Sequence, residues 1–353
     1  MRDEMNWNAR IVPADEAAGQ AARRRWDSLA KPLGSLGWLE DAVVRLAAAS
    51  GDEEVCLDKR ALLVFCADNG VVAQGVSQCG SQVTAKVAVA LAQGRSTVNP
   101  MARLARCQVL PVDMGIRDFP GAPGVIDRRV RNGTGDISRG PAMSREECLR
   151  AIRFGAELAE ARKAEGVQIL CVGEMGIGNT TSACAVAAAL LGLEPEDLAG
   201  RGAGLSDTGL ARKKQILRQA LAVNRAEPRD PVDVLAKLGG LDLAAMCGAF
   251  LGAAACRLPA VVDGAVSAAA ALCAVRLCPA AGGYLLASHC SAEPMAAPLL
   301  QALDLPPLLQ GSFHLGEGGG AVALLPLLDM ALAVYHSGQT FEKLGIEAYT
   351  PQK

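Results

Sequence analysis

The chain has 353 residues, and its 35 basic and 37 acidic side chains leave a formal net charge of -2. This near-neutral charge does not favour binding to nucleic acid or to an anionic membrane. Aromatic residues, at 3%, are also too few to stack with the bases of a single-stranded nucleic acid. The length exceeds one usual hydrophobic core, so one large domain with a small appendage, or two domains, is expected.

The ends and apolar runs of the chain carry no targeting or membrane signal. Residues 1–10 lack the apolar core of a signal peptide, and the apolar stretches 244–256 and 258–275 are interrupted by glycine, proline or charged residues. Twelve cysteines occur without a CxxC pair, and the three histidines share no metal-ligand spacing. We therefore predict a cytoplasmic protein that spans no membrane and needs no metal or other cofactor.

Alternating strands and helices are predicted along most of the chain. Five short apolar runs that end in polar or glycine residues are predicted as strands, at 61–66, 108–112, 168–172, 260–262 and 284–287. Helical patterns occupy 14–29, 38–49, 82–93, 145–164, 180–191, 208–222, 242–256, 265–275 and 320–334, whereas 117–143 has no clear period and is predicted as a long loop. The alternation predicts a doubly wound, parallel α/β sheet.

Clusters of polar and glycine residues follow the predicted strands at their carboxyl ends. Examples are Ala67-Asp68-Asn69-Gly70, Asp113-Met114-Gly115 and Asp263-Gly264. In open α/β sheets this is the edge where ligands bind, whereas purely structural turns would mark both edges equally. The positions therefore predict a single active-site crevice at this edge.

The stretch 168–182 joins a predicted buried strand to an apolar helix through a glycine-spaced turn. Gly176 and Gly178 let the backbone approach a ligand, and Asn179 and Thr180 supply polar groups at the positive end of the helix dipole. The pattern predicts a phosphate site, although a turn that serves only tight packing remains an alternative. Glu174 would repel phosphate unless it faces another part of the ligand.

Two further stretches contain candidate functional residues. Glu317 lies between glycines at the entry to a predicted helix, where it is either a general base with a raised pKa or a charge that interacts with the helix terminus. The loop Gly200-Arg201-Gly202-Ala203-Gly204, together with Lys213, can complete an anion site. The alternative for Lys213 is a solvated helix face.

Six motifs occur in the order typical of one enzyme family: Lys31-Pro32-Leu33-Gly34-Ser35-Leu36-Gly37, 67–72, 173–181, 200–204, Ser291-Ala292-Glu293-Pro294 and Leu315-Gly316-Glu317-Gly318. Over roughly residues 10–345 the chain resembles the nicotinate-nucleotide–dimethylbenzimidazole phosphoribosyltransferase family. The resemblance implies transfer of phosphoribose from nicotinate mononucleotide to 5,6-dimethylbenzimidazole or a related base. The products are α-ribazole 5′-phosphate and nicotinate, in the assembly of the cobalamin lower ligand.

The resemblance also implies a fold and an assembly. The fold is a three-layer α/β domain, predicted at 55–334, with a small helical domain built from both chain ends. Residues 1–50 supply the N-terminal part of the small domain, and 335–353 form a tail that packs with the N-terminal helices. Family members form homodimers, so a homodimer is expected.

The roles of individual residues follow from the same resemblance. Glu317 is implied as the general base that removes the benzimidazole N–H proton, and Glu174 lies beside the ribose and the reaction centre. Nucleotide and phosphate contacts are implied for Gly176, Ile177, Gly178, Asn179, Thr180, Gly202, Lys213 and Ser291, and base contacts for Asp68, Ser77, Lys86, Met175 and Leu315. The chemistry agrees, since a pyridinium leaves as a neutral pyridine and needs neither a metal nor a general acid.

Several positions depart from the family pattern: Asn69 where His is frequent, Lys86 where Gln is common, His314 where Arg is common, Gly319 where Thr or Ser is common, and Met295-Ala296 where Gly-His is frequent. Lys86 leaves the accepted base open among benzimidazoles, purines and phenolic bases. Two alternative functions also stay open. One is an auxiliary subunit of a heteromeric enzyme, and the other is a nicotinate mononucleotide hydrolase that uses water as acceptor.

Overall fold

One six-stranded sheet organises the computed structural model, which describes residues 6–350. The strands are β1 (Arg60–Ala67), β2 (Cys107–Gly115), β3 (Ile126–Asp127), β4 (Ile169–Met175), β5 (Ala260–Val262) and β6 (Leu285–Ala287). Neighbouring strands pair in parallel in the order β3-β2-β1-β4-β5-β6. The predicted parallel α/β fold is therefore confirmed.

Helices connect the strands and cover the sheet. The α-helices are α1 (Trp7–Arg10), α2 (Glu16–Ser28), α3 (Trp38–Ser50), α4 (Gln82–Ala92), α5 (Val98–Leu104), α6 (Arg145–Ala164), α7 (Asn179–Leu191), α8 (Pro195–Leu198), α9 (Asp207–Asn224), α10 (Pro231–Leu238), α11 (Leu241–Ala255), α12 (Ala265–Leu277), α13 (Ala296–Ala302), α14 (Gly319–Tyr335) and α15 (Phe341–Leu344). Short 3-10 helices occupy Gly70–Gln74 and Pro279–Tyr284. Within residues 6–350, no helix combines the length and the apolar character needed to cross a bilayer.

Side chains of β1 alternate between two hydrophobic clusters, one on each face of the sheet. Leu63 and Phe65 join the cluster that contains α6, α7, α11 and α12, whereas Leu62 and Val64 join the cluster that contains α3, α5 and α14. Because successive strand residues point to opposite faces, β1 is buried on both sides, as expected for a central parallel strand. The result is three layers, with the sheet between two helical layers.

The small residues that dominate the composition bring helices close together. A Cβ atom added at Gly252 of α11 would lie 2.6 Å from the Cα of Ala156 in α6, and one at Gly155 would lie 2.9 Å from the backbone nitrogen of Ala249. Real Cβ atoms do not pack at such distances, so α6 and α11 contact each other backbone to backbone only because these positions are glycine.

The two chain ends contact each other on one side of the sheet. The rings of Trp26 and Tyr335 lie 5.1 Å apart, Arg25 Nε donates to the carbonyl of Tyr335 at 3.2 Å, and Leu29 pairs with Thr340 in an isolated β-bridge. The division into domains at 1–50, 55–334 and 335–353 stays a prediction, and residues 1–5 and 351–353 of it lie outside the described residues.

The structure corrects several predicted elements. Helices α5, α8, α10 and α13 were not predicted, because each has eight residues or fewer and shows too little periodicity. β3 lies within the predicted loop 117–143 and has only two residues. β4 continues to Met175, so Glu174 lies on the strand and not in the turn that follows it.

Candidate active site

A cavity of about 290 Å³ opens at the carboxyl edge of the sheet. Its walls come from the segments that follow β1, β4, β5 and β6, together with the loops 201–205 and 313–317. The sheet order reverses direction between β1 and β4, and the cavity lies beyond the ends of these two strands. In doubly wound sheets this crevice is the expected ligand site. Of the polar clusters given as examples, Asp263-Gly264 lines the cavity, whereas 67–70 and 113–115 do not.

The N-terminus of α7 forms one wall of the cavity. Gly178 occupies the N-cap position with φ +91°, which favours glycine, and no side chain caps the helix there. A Cβ at this position would lie 3.2 Å from the Cβ of Asn69, so the turn also packs tightly. The backbone from Gly176 to Thr180 lines the cavity, which places the positive end of the helix dipole where an anion can bind.

Gly202 and Ser291 line the same cavity, whereas Lys213 lies behind its wall. Lys213 is fully buried, and its Nζ donates to Thr180 Oγ1 and to the carbonyl of Gly200, both at 3.0 Å. Burial lowers the pKa of this amine. The alternative of a solvated helix face is wrong for Lys213, and direct contact with phosphate stays a prediction.

Glu317 is held in an unusual backbone conformation at the entry to α14. Its φ is +57°, and the flanking Gly316 and Gly318 have φ +76° and +80°. Left-handed φ at a non-glycine residue costs of the order of 1 kcal/mol and persists only where the surroundings impose it. Here the backbone N–H of Glu317 donates to the carbonyl of Glu174 at 3.0 Å, and its Oε2 accepts from the backbone N–H of Val98 at 3.1 Å.

The loop that carries Glu317 packs directly against β4. A Cβ at Gly173 would lie 2.6 Å from the Cα of Gly318 and 2.9 Å from the carbonyl carbon of Glu317. Gly173 is followed in the chain by Glu174, so the two glutamates lie on touching segments, and both line the cavity. The sequence predicted these two carboxylates as a pair, and the structure brings them together.

Glu174 belongs to a buried network of acidic groups. The Nδ2 of Asn179 donates to Glu174 Oε2 and, at 3.0 Å, to Asp242 Oδ2. Burial is the largest cause that raises the pKa of Glu174, which lies at about 8. The hydrogen bond from Asn179 lowers this pKa, whereas the nearby charges of Asp242, Asp263 and Glu317 raise it. Burial likewise raises the pKa of Asp242 to about 6. Glu174 is therefore mostly neutral at pH 7.

Asp263 and His289, for which no role was predicted, also line the cavity. Asp263 Oδ1 accepts from the N–H of Ala321 in the first turn of α14 at 2.9 Å, and burial raises its pKa to about 7. The ring of His289 packs at a tilt against that of Phe313, with 5.2 Å between centroids, and burial lowers the pKa of His289, so it is mostly neutral at pH 7. Their places directly after predicted strands were the signal that could have identified them.

Several apolar side chains also line the cavity. Val83 and Val87, one turn apart on α4, line it with Met175 and Leu315, and Ser77 supplies a hydroxyl. Of the predicted base contacts, Ser77, Met175 and Leu315 are thus in the cavity, whereas two others are outside it. Asp68 is buried and accepts from Thr84 Oγ1 at 2.7 Å and from the N–H of Arg117 at 2.8 Å, and Lys86 is an exposed residue of α4.

Comparisons with known proteins find relatives that match nearly the whole chain. The family model described as "Phosphoribosyltransferase" matches residues 11–346. The nicotinate-nucleotide--dimethylbenzimidazole phosphoribosyltransferase of Ruminiclostridium cellulolyticum is 45% identical over 332 residues, which are 94% of each chain. The protein of the same name from Geobacter metallireducens is 44% identical over 338 residues, 96% of each chain.

A solved structure gives the same result for the fold. The crystal structure of CobT from Thermus thermophilus matches with a TM-score of 0.89 and 42% identity, and the match covers 94% of this chain and 100% of that chain. The resemblance seen in the motifs is therefore confirmed along nearly the whole chain. The chain belongs to the nicotinate-nucleotide–dimethylbenzimidazole phosphoribosyltransferase family.

Proposed function

We propose that the chain transfers phosphoribose from nicotinate mononucleotide to 5,6-dimethylbenzimidazole or a related base. The products are α-ribazole 5′-phosphate and nicotinate, in assembly of the cobalamin lower ligand. The observation that carries this proposal is a single cavity that contains an uncapped helix N-terminus, two glutamates on touching segments and several apolar side chains. These features suit a phosphate, a reacting ribose carbon and an aromatic base respectively.

The phosphate is proposed to bind at the N-terminus of α7. The N–H groups of Ile177 and Asn179 in this turn already donate, to Thr84 Oγ1 at 3.2 Å and to the carbonyl of Gly176 at 3.0 Å. The N–H groups of Gly178 and Thr180 are therefore the ones proposed to contact the phosphate, and Gly202 and Ser291 line the same cavity. Thr180 Oγ1 accepts a hydrogen bond from Lys213, which leaves the hydroxyl hydrogen of Thr180 free to donate to a phosphate oxygen. In this arrangement Lys213 acts on the phosphate through Thr180.

The reaction is proposed to be a single displacement at C1′ of the ribose. A benzimidazole nitrogen bonds to C1′ while the bond from C1′ to the pyridinium nitrogen breaks, and the bonding pair leaves with a neutral pyridine. Attack from the opposite face converts a β-nucleotide into an α-product. The N–H proton of the benzimidazole passes to the carboxylate of Glu317, which the N–H of Val98 holds in place.

Glu174 is proposed to lie beside the ribose. Its raised pKa, about 8, keeps it mostly neutral in the free protein, so it does not repel the phosphate of an incoming nucleotide. A positively charged pyridinium bound next to it lowers that pKa, because a cation favours the carboxylate. Glu174 can then supply negative charge to C1′ as the glycosidic bond breaks.

We also propose that the protein works as a homodimer in the cytoplasm. Leu104 at the end of α5 and Met330 on α14 have 83% and 62% of their surface exposed, and Val334 lies one turn beyond Met330. Arg106 pairs with Asp329 at 3.7 Å, which brings the end of α5 next to Met330. Exposed apolar side chains on neighbouring helices are typical of a protein interface.

The transferase is tested by measuring nicotinate release from nicotinate mononucleotide with and without 5,6-dimethylbenzimidazole. Release that depends on the base, together with formation of α-ribazole 5′-phosphate, is the expected result. Release without any base would indicate a hydrolase. No release by the purified chain with any of several bases would indicate an auxiliary subunit; neither of these alternatives gains support from the comparisons with known proteins.

A further inference from the structure

Glu293 is a cavity residue for which the transfer chemistry supplies no role. It lies in the Ser291-Ala292-Glu293-Pro294 motif between β6 and α13, and its Oε1 accepts a hydrogen bond from the backbone N–H of Gly202 at 2.8 Å. A Cβ at Gly200 would lie 2.6 Å from the carboxyl carbon of Glu293. The loop from Gly200 to Gly202 therefore rests on this carboxyl group, and a larger residue at position 200 would displace it.

The other side of the same loop contacts the turn proposed to bind phosphate. A Cβ at Gly202, where φ is +54°, would lie 2.9 Å from Thr180 Oγ1. Lys213 Nζ bonds both to Thr180 Oγ1 and to the carbonyl of Gly200. The loop therefore packs between Glu293 on one side and the hydrogen-bonded pair Thr180–Lys213 on the other.

Two cationic side chains lie near Glu293, and their contacts show which of them its charge acts on. Arg201 lines the cavity beside it, but its guanidinium donates to the carbonyl of Leu205 at 2.8 Å and pairs with Asp207. The charge of Glu293 acts instead on the buried amine of Lys213. Burial lowers the pKa of this amine, and the negative charge of Glu293 raises it. Glu293 thereby favours the protonated form of Lys213.

We propose that Glu293 is a positioning residue, which holds the loop from Gly200 to Gly202 in the shape that receives the substrate phosphate. The Gly202 N–H is occupied by Glu293, so this carboxylate acts on the phosphate through the backbone it fixes and through the orientation of Thr180. The inference rests on the proposed function, since it takes the phosphate of a nucleotide as the ligand.

Glu293 could instead be a carboxylate that competes with phosphate for the loop, but the packing of its carboxyl group argues against this role. Its Oε2 is inaccessible to solvent and, among residues 6–350, has no hydrogen-bond partner. A competing side chain has to leave the loop when phosphate binds, whereas this carboxyl group is packed against Gly200 and is part of the wall. Tighter phosphate binding after its removal would nevertheless show competition.

The test compares Glu293→Ala and Glu293→Gln on two substrates, nicotinate mononucleotide and nicotinate riboside, which lacks the phosphate. We expect Glu293→Ala to raise KM for the mononucleotide about tenfold, the usual effect of one lost hydrogen bond. The kcat/KM for the riboside is expected to stay at the wild-type value. Glu293→Gln keeps an oxygen that can accept from Gly202 and is expected to restore most of the affinity.

Other outcomes overturn the proposal. An equal loss with both substrates would mean a general structural role, and a lower KM for the mononucleotide would mean competition with phosphate. If Glu293→Ala does not fold, Glu293→Asp, which is one methylene too short to reach Gly202, replaces it. If the wild-type chain shows no turnover, the proposed function fails, and calorimetric binding of ribose 5-phosphate to the same variants still tests Glu293.

Discussion

Replacing Glu317 with Gln is the sharpest test of the proposed chemistry, because the structure allows the change without disturbing the fold. Gln has the same length as Glu, and its side-chain oxygen can still accept from the N–H of Val98, which Glu317 Oε2 does at 3.1 Å. The backbone at φ +57° is equally strained for both residues. The substitution therefore removes the ability to take a proton and little else.

The expected loss follows from the role of the group. A positioned general base contributes about 100-fold to 10,000-fold to a rate, so kcat is expected to fall by about that factor, which corresponds to roughly 3–5 kcal/mol. KM for nicotinate mononucleotide is expected to stay near its wild-type value, because Glu317 contacts neither the N-terminus of α7 nor the loop at Gly202 in the proposed complex.

The assay follows nicotinate release with two acceptors that differ only at one ring nitrogen, which carries a hydrogen atom in one acceptor and a methyl group in the other. With 5,6-dimethylbenzimidazole the variant is expected to be slow, whereas 1,5,6-trimethylbenzimidazole has no N–H proton and is expected to react equally well with wild type and variant. Glu157→Gln, at an exposed position on α6, is the matched control and is expected to behave as wild type. An equal loss with both acceptors would refute the assignment of Glu317 as the base.

Three further predictions concern stability, packing and assembly. Burial holds the pKa of Glu174 at about 8, above its ordinary 4.5, so the stability that its neutral form supplies is present below pH 4.5 and is lost as the pH rises to 8. The fall in Tm between pH 5 and pH 9 is therefore expected to be smaller in Glu174→Gln, and an unchanged fall would contradict this. Gly173→Ala is expected to lower kcat at least tenfold, because the added Cβ would lie 2.6 Å from the backbone of the loop that carries Glu317. Gly140→Ala is the control, since no atom lies within 4 Å of the added Cβ there, and its kcat is expected to equal that of the wild type. Met330→Asp is expected to shift the protein from dimer to monomer in light scattering; a monomeric wild type would refute the homodimer.

The sheet and the edge that carries the site could be predicted from sequence because both depend on local patterns. Buried parallel strands appear as short apolar runs, and the residues directly after them meet at one edge whatever the order of the strands. The glycines that flank Glu317 indicated a position of note at the helix entry, and the structure shows positive φ at all three positions from 316 to 318. These signals lie within a few residues of the feature they predict.

The features that the sequence did not reveal depend on contacts between distant segments. Nothing local distinguishes Lys213, fully buried behind Thr180, from the neighbouring Lys214 on the same helix. The hydrogen bond from Gly202 to Glu293 joins residues 91 positions apart. Short helices such as α10 were also missed, because eight residues supply only about two turns of periodicity.

The acidity of the cavity is the feature that most needs a physical explanation in a protein proposed to bind an anionic nucleotide. Four carboxyl groups line it, those of Glu174, Asp263, Glu293 and Glu317, and the guanidinium of Arg201 is the one strong cation among the described residues that line it. Burial raises the pKa of Glu174 to about 8 and that of Asp263 to about 7, so much of this negative charge is absent at pH 7. The other two carboxyl groups accept hydrogen bonds from backbone N–H groups, Glu317 from Val98 and Glu293 from Gly202. The position of Glu174 beside a phosphate site, a conflict by sequence alone, is therefore compatible with phosphate binding, because burial keeps this carboxyl group mostly neutral. In the proposed complex the cationic ring of the substrate then favours its carboxylate form.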